Sequence, residues 1–139
     1  MQNEIPTHIL SHLLNNDEYC RRVIPYLQKA YFEGCHKVVF DLIVDFVSTH
    51  NKLPTGRVLD IELQKVNAPD DVLNKSAMLI NEINTQTDLD TEYLINETEK
   101  WCKDRAVYIA IMESIGIIDG KDDEKSEGAI PEILSTALG

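Results

Sequence analysis

Residues 90–119 read DTEYLINETEKWCKDRAVYIAIMESIGIID. The run has no proline and a single glycine, and apolar residues recur at Leu94 and Ile95, Trp101 and Cys102, Ala106, Ile109, Met112 and Ile115. That spacing keeps a stripe along one side of an α-helix. At a rise of about 1.5 Å per residue the helix would be roughly 45 Å long, whereas a compact domain of this chain length has a radius of gyration of roughly 14 Å. Part of the helix is therefore expected to project, and a projecting apolar stripe needs a partner. This points to an assembly module more than to a catalyst.

Upstream of this run every segment also reads as helix, punctuated by caps and breakers. Pro6 suits a first helical turn, with Ile9, Leu10, Leu13 and Leu14 on one face. Asn15-Asn16-Asp17 supplies a stop and a new N-cap. The second helix carries Tyr19, Val23 and Ile24 until Pro25 kinks or ends it. Tyr31 and Phe32 fall in a short helical turn or loop. After Gly34, the segment HKVVFDLIVDFVSTHN presents Val39, Leu42, Ile43, Phe46 and Val47 as a wide apolar face, the expected central core helix. Its β-branched residues also allow a strand, but a run of about four turns without a turn signal favours the helix. Leu53-Pro54-Thr55 is a breaker followed by a cap. It opens a helix holding Val58, Leu59, Ile61, Leu63 and Val66. Ala68-Pro69-Asp70-Asp71 starts another, continued by Val72, Leu73, Met78, Leu79, Ile80 and Ile83 to about Thr85.

Downstream of the long helix, residues 119–128, DGKDDEKSEG, hold five acids and two lysines with no apolar residue, a solvated loop. The last piece, AIPEILSTALG, is helical by pattern, with Ile130, Ile133, Leu134 and Leu138 on one face. That face runs to the final residue, so the natural chain is expected to continue. The expected fold is all-α: several helices over residues 1–86, then, over residues 87–139, a long helix, the acidic loop and the start of a further helix.

At 139 residues and 43% hydrophobic content the chain can enclose one ordinary core. No apolar run approaches the roughly 20 residues that span a bilayer, and MQNEIPTHIL lacks the basic flank and apolar centre of a signal peptide. Neither membrane association nor export is expected; cytoplasm is the expected compartment. Cys20, Cys35 and Cys102 are odd in number and widely spaced, which argues against a disulfide framework. The net charge is −11, from 13 basic and 24 acidic residues. Grip on nucleic acid depends on basic side chains neutralising phosphates, so weak or no direct DNA binding is expected. Such acidity instead favours solubility or docking to a basic partner surface.

The residues that carry most chemistries are missing. There is no G-x-x-x-x-G-K-[ST] loop and no G-x-G-x-x-G turn, and the six glycines are scattered. His8 and His12 are four apart and could share a helix face, but a zinc site needs further ligands. Cys35 and His36 are adjacent, and neighbouring residues on a helix face different ways, which disfavours a thiolate–imidazolium pair; a partly buried histidine hydrogen-bonded near a helix start is the expected reading of His36. Glu97 and Glu99 with Lys100 and Lys103 read as ordinary solvated helix pairs, each worth about 0.2–0.5 kcal/mol. No catalytic, cofactor-binding or metal residue is expected in this segment. The candidates concern association. Tyr93, Trp101, Tyr108 and Met112 lie on a broad band of the long helix and suit either the internal core or a subunit interface, where aromatics, Met and Arg are enriched. Leu94, Arg105, Ile109, Ile133 and Leu134 complete the candidate interface set. Arg21, Arg22 and Lys29 on the head read as a solvated face.

The blocks Ile9-Leu10-Ser11-His12-Leu13-Leu14, Tyr31-Phe32-Glu33 and His36-Lys37-Val38-Val39-Phe40-Asp41-Leu42-Ile43 come in order, then Leu53-Pro54-Thr55. Tyr93-Leu94-Ile95-Asn96-Glu97-Thr98-Glu99-Lys100 with Arg105-Ala106 follows, and then Gly128-Ala129-Ile130-Pro131-Glu132-Ile133-Leu134. Taken together, from about Ile9 to Leu138, they resemble the N-terminal domain of the DnaB-like hexameric replicative DNA helicases, closest to the T-even bacteriophage branch. The resemblance implies a globular head over residues 1–86 and a helical hairpin over residues 87–139, its second leg only begun, in a scaffold domain that builds the hexameric ring, as a dimer or hexamer collar, and docks primase or the helicase loader. It implies a parent enzyme, an ATP-dependent helicase, whose RecA-like motor domain, using ATP and magnesium, is absent from this sequence. It also implies the cytoplasm of a host cell, if the chain is of phage origin. The alternative is a stand-alone helical adaptor or regulator with no ATPase attached.

Overall fold

The computed structural model describes residues 4–85, 89–122 and 124–139. These residues form an all-α fold of seven α-helices: α1 (Glu4–Asn15), α2 (Asp17–Val23), α3 (Gly34–His50), α4 (Gly56–Leu63), α5 (Asp70–Ile83), α6 (Thr91–Ile118) and α7 (Ile130–Leu138). Short 3-10 turns at Ile24–Tyr26, Lys29–Tyr31 and Glu127–Ala129 fill the joints, the first where Pro25 stops α2 from continuing. No strand occurs among the described residues, and α3 takes the helical alternative.

The helix starts follow from local side chains. Asn16 accepts the Tyr19 N–H at 3.0 Å, Thr55 the Val58 N–H at 3.2 Å and Asp90 the Tyr93 N–H at 3.0 Å, each satisfying one orphan donor of a first turn. Helix ends are handled by left-handed residues. Asn51 (φ 55°) closes α3 through its N–H to the Val47 carbonyl. Gly120 (φ 73°) closes α6 with the paired bonds of a Schellman turn, Lys121 N–H to Gly116 C=O and Gly120 N–H to Ile117 C=O, both found in the structure. Gly120→Ala forces a Cβ into that conformation and is expected to cost about 1–2 kcal/mol, read as fraying of the last turn of α6 by hydrogen exchange.

The chain divides into two compact units, Met1–Thr98 and Glu99–Gly139. In the first, α3 packs on α1, α4 and α5, and α1 packs on α2 and α5. Ile9, Leu10 and Leu13 of α1, Val39 and Ile43 of α3, Leu59 of α4 and Ile80 and Ile83 of α5 are fully or almost fully enclosed. Phe32 stacks on Phe40 with ring centroids 4.4 Å apart. Leu94 and Thr98, in the first turns of α6, are also enclosed, so the beginning of the long helix belongs to the head.

Polar side chains of α1 finish α5. Ser11 Oγ donates to the Ile83 and Thr85 carbonyls at 3.2 and 3.1 Å, and Asn15 Nδ2 to Ile83 O at 3.0 Å, satisfying acceptors that α5 itself leaves free. The next residue, Asn16, donates from Nδ2 to Thr91 Oγ1 at 2.9 Å, so adjacent asparagines hold the end of α5 and the start of α6. Arg22 on α2 adds an exposed ion pair to Glu92.

In the second unit, α6 from Glu99 onward is followed by the acidic loop and α7. The loop has local order. Asp122 Oδ1 accepts the N–H groups of Glu124 and Lys125 at 2.9 and 3.1 Å, and Lys125 pairs with Glu113 of α6.

Candidate functional site

The outer circumference of α6 is the feature with functional content. Within the second unit Cys102, Ala110, Ser114 and Ile117 are buried. Ser114 satisfies its hydroxyl by donating to Ala110 O at 2.8 Å. At 3.6 residues per turn these four fall in one arc of about 120°, and Tyr108, Ile111, Met112, Ile115 and Ile118 fall in another, roughly opposite. These five large apolar side chains are between 44% and 60% exposed. A helix apolar on both sides suits one covered on both sides. An exposed apolar stripe of this kind is a candidate interaction surface, whereas single exposed residues are ordinary.

The sequence-derived candidates are distributed unevenly about this stripe. Tyr108 and Met112 lie on it, and the Arg105 guanidinium sits 4.9 Å from the Tyr108 ring centroid. Trp101, Arg105 and Ile109 are half-buried at its margins, and Ile133 and Leu134 of α7 are half-buried. Tyr93, in the first unit, is exposed. Leu94 is fully enclosed in the head, which removes it from any surface set. Ile111, Ile115 and Ile118 join the stripe. Their signal was a second apolar register, Tyr108–Ile111–Ile115–Ile118, overlapping the first.

The other candidates resolve into local structure. His12 is buried, its Nδ1 3.1 Å from the His8 carbonyl and its ring edge-on to Tyr19 at 5.5 Å. No cluster of metal-binding side chains occurs among the described residues. Cys35 and His36 do meet, contrary to the helix-face expectation: Sγ lies 3.8 Å from Nδ1, while Nε2 lies 2.9 Å from Thr7 Oγ1 on α1. His36 thus makes the expected hydrogen bond near a helix start. The pair is electrostatically the opposite of a reactive couple, since burial pushes the Cys35 thiol up and holds His36 below its ordinary value, with Glu82 opposing on the latter. Burial, then Glu99, pushes the Cys102 thiol up to about 11, and Cys20 is likewise raised by burial. All three cysteines are free thiols, and none is activated as a nucleophile.

His36 makes the fold pH-dependent with a definite sign. Its folded pKa lies below the unfolded value of about 6.5, so the unfolded chain takes up the proton first as pH falls. Its contribution is complete above about pH 6.5 and is lost as pH falls through the folded value. The urea midpoint is expected to drop on acidification across that window, and to drop less in His36→Gln.

Three basic residues of the head are engaged with acids: Arg21 with Asp17 at 2.7 Å, Arg22 with Glu18 and Glu92, and Lys29 with Asp41 at 3.1 Å. They make no uncompensated positive patch. No helix among the described residues is long and apolar enough to cross a membrane.

No protein-family model matches the chain. Along nearly its whole length it is similar to a DnaB-like replicative helicase of Enterobacteria phage T4, with 31% identity over 139 aligned positions. The match takes in 94% of this chain and spans 29% of the relative's length. That extent fits an N-terminal helicase domain, the resemblance read from the ordered blocks above.

Proposed function

We propose, proceeding from this kinship with a DnaB-like replicative helicase, that the chain is a scaffold domain through which helicase subunits associate into a ring and receive partner proteins. The kinship supports a helicase-related role. The observation that carries the scaffold reading is the α6 stripe of Tyr108, Ile111, Met112, Ile115 and Ile118, apolar and exposed on a helix already buried along its other side. Exclusion of such a stripe from water by another chain contributes about 25 cal/mol per Å² of apolar area removed.

In this proposal the whole protein unwinds DNA with ATP and magnesium in a motor domain outside these residues. Primase and the helicase loader are the partners of the scaffold tier, and the cytoplasm of the infected host is the compartment. The −11 charge opposes a direct grip on DNA. The chain alone is therefore expected to show no single-strand binding at physiological salt.

The test is the mass of the chain in solution by light scattering beside Met112→Glu and Ile115→Glu, with circular dichroism to check folding. A parent mass of two or more copies, falling to one copy in both variants with helicity unchanged, supports the scaffold. A parent that stays monomeric at high micromolar concentration, or variants that keep the parental mass, would overturn it.

A further inference from the structure

We infer that the corner between α3 and α4 docks an acidic peptide segment of a partner protein. This rests on the partner-receiving part of the function proposed above and adds a place and a chemistry. The chain carries a net charge of −11, yet residues 46–59 contain His50, Lys52 and Arg57 and no acid. All three are exposed. Lys52 and Arg57 form no ion pair among the described residues, whereas Arg21, Arg22, Lys29 and Lys65 each pair with an acid. The nearest acids in the sequence are Asp45 and Asp60.

The corner is held in shape from both ends. Asn51, left-handed at φ 55°, gives its N–H to the Val47 carbonyl, Pro54 is buried, and Thr55 caps α4. Gly56 is buried so closely against α5 that a Cβ there would lie 2.9 Å from Asn84 Cγ. Lys52 and Arg57, on either side of Pro54, therefore stand on backbone ordered before a partner arrives, which lowers the entropic cost of docking. An apolar margin adjoins them. Phe46 and His50 stack with ring centroids 4.3 Å apart, and Ile61, 52% exposed, lies one turn beyond Arg57 on the same face of α4.

The charge pattern fits a short acidic peptide better than a nucleic acid. Exposed charges act over about 8 Å at physiological salt. A short acidic segment meets the corner cations without crossing the acids elsewhere on the chain. A strand of nucleic acid draws its affinity from many neutralised phosphates, and Lys52 and Arg57 supply only a pair of cations.

The test is the fluorescence anisotropy of a labelled peptide, consecutive aspartates followed by a pair of leucines, titrated with the chain at low and at physiological salt. Binding is expected, and Lys52→Glu with Arg57→Glu weakens it at least about tenfold, Lys52→Ala with Arg57→Ala about threefold. Lys75→Glu with Lys121→Glu, an equal change of net charge at exposed lysines elsewhere, leaves the affinity within about twofold. Circular dichroism checks that every variant is folded. No peptide binding at millimolar concentration would overturn the inference. Equal weakening by the Lys75 and Lys121 pair would reduce it to net charge and overturn it too. Tighter binding of an oligothymidylate than of the peptide would make the corner a nucleic-acid contact and also overturn it. Light scattering of the parent reads self-association separately, so a failure here is distinguishable from a failure of the scaffold reading.

Discussion

Tyr19→Ala is expected to destabilise the head by about 3–5 kcal/mol, the range for emptying a large aromatic site in a packed core. Tyr19 is fully enclosed and carries a polar atom into the interior. Its hydroxyl lies 2.6 Å from Thr98 Oγ1, and Thr98 in turn donates to Leu94 O at 2.7 Å. Thr98 has one hydroxyl proton, already committed to Leu94, so Tyr19 is the donor to Thr98. The order makes the conservative variants unequal. Tyr19→Phe removes a donor and leaves Thr98 still bonded, costing about 0.5–1.5 kcal/mol. Thr98→Val removes both this acceptor for the buried Tyr19 hydroxyl and the bond to Leu94 O, and costs about 1–3 kcal/mol. The double variant is expected to lose less than the sum, a coupling measurable by urea unfolding of all four chains. Additive losses would mean that the two hydroxyls do not depend on each other.

Leu94→Ala gives the second large effect. Loss of a fully buried leucine costs about 2–5 kcal/mol, through lost transfer energy and the cavity left behind. Met112→Ala on the same helix, about half-exposed, is expected to change the stability of the isolated chain by no more than about 0.5 kcal/mol. Any weakening of self-association by Met112→Ala appears only in the concentration dependence of the melt. Thermal melts of both variants at low and high protein concentration separate the roles. If Leu94→Ala melts like the parent at low concentration, Leu94 is not core.

These contrasts show which parts of the molecule local chemistry determines. Asn16 and Thr55 cap helices where their position ahead of an apolar run implied, and Pro25 and Pro54 interrupt where a missing N–H and a fixed φ require it. The division of α6 into a buried and an exposed side was harder to read. When apolar residues occupy nearly the whole circumference, periodicity loses contrast, and Leu94 and Met112 read alike until their neighbours are known. The Cys35–His36 contact depends on side-chain rotamers, and the Tyr19–Thr98 bond joins residues 79 positions apart, beyond any local signal.

The turn at Gly120 has a practical corollary for engineering. Because main-chain bonds alone halt α6 there, the identity of the next few side chains has little bearing on where the helix stops. An affinity peptide or a fluorophore-bearing insert spliced between Asp122 and Ser126 would forfeit the Glu113–Lys125 pair and the Asp122 turn, and leave the apolar faces of α6 in place. The acidic bend is thus the position from which to attach a label to this chain.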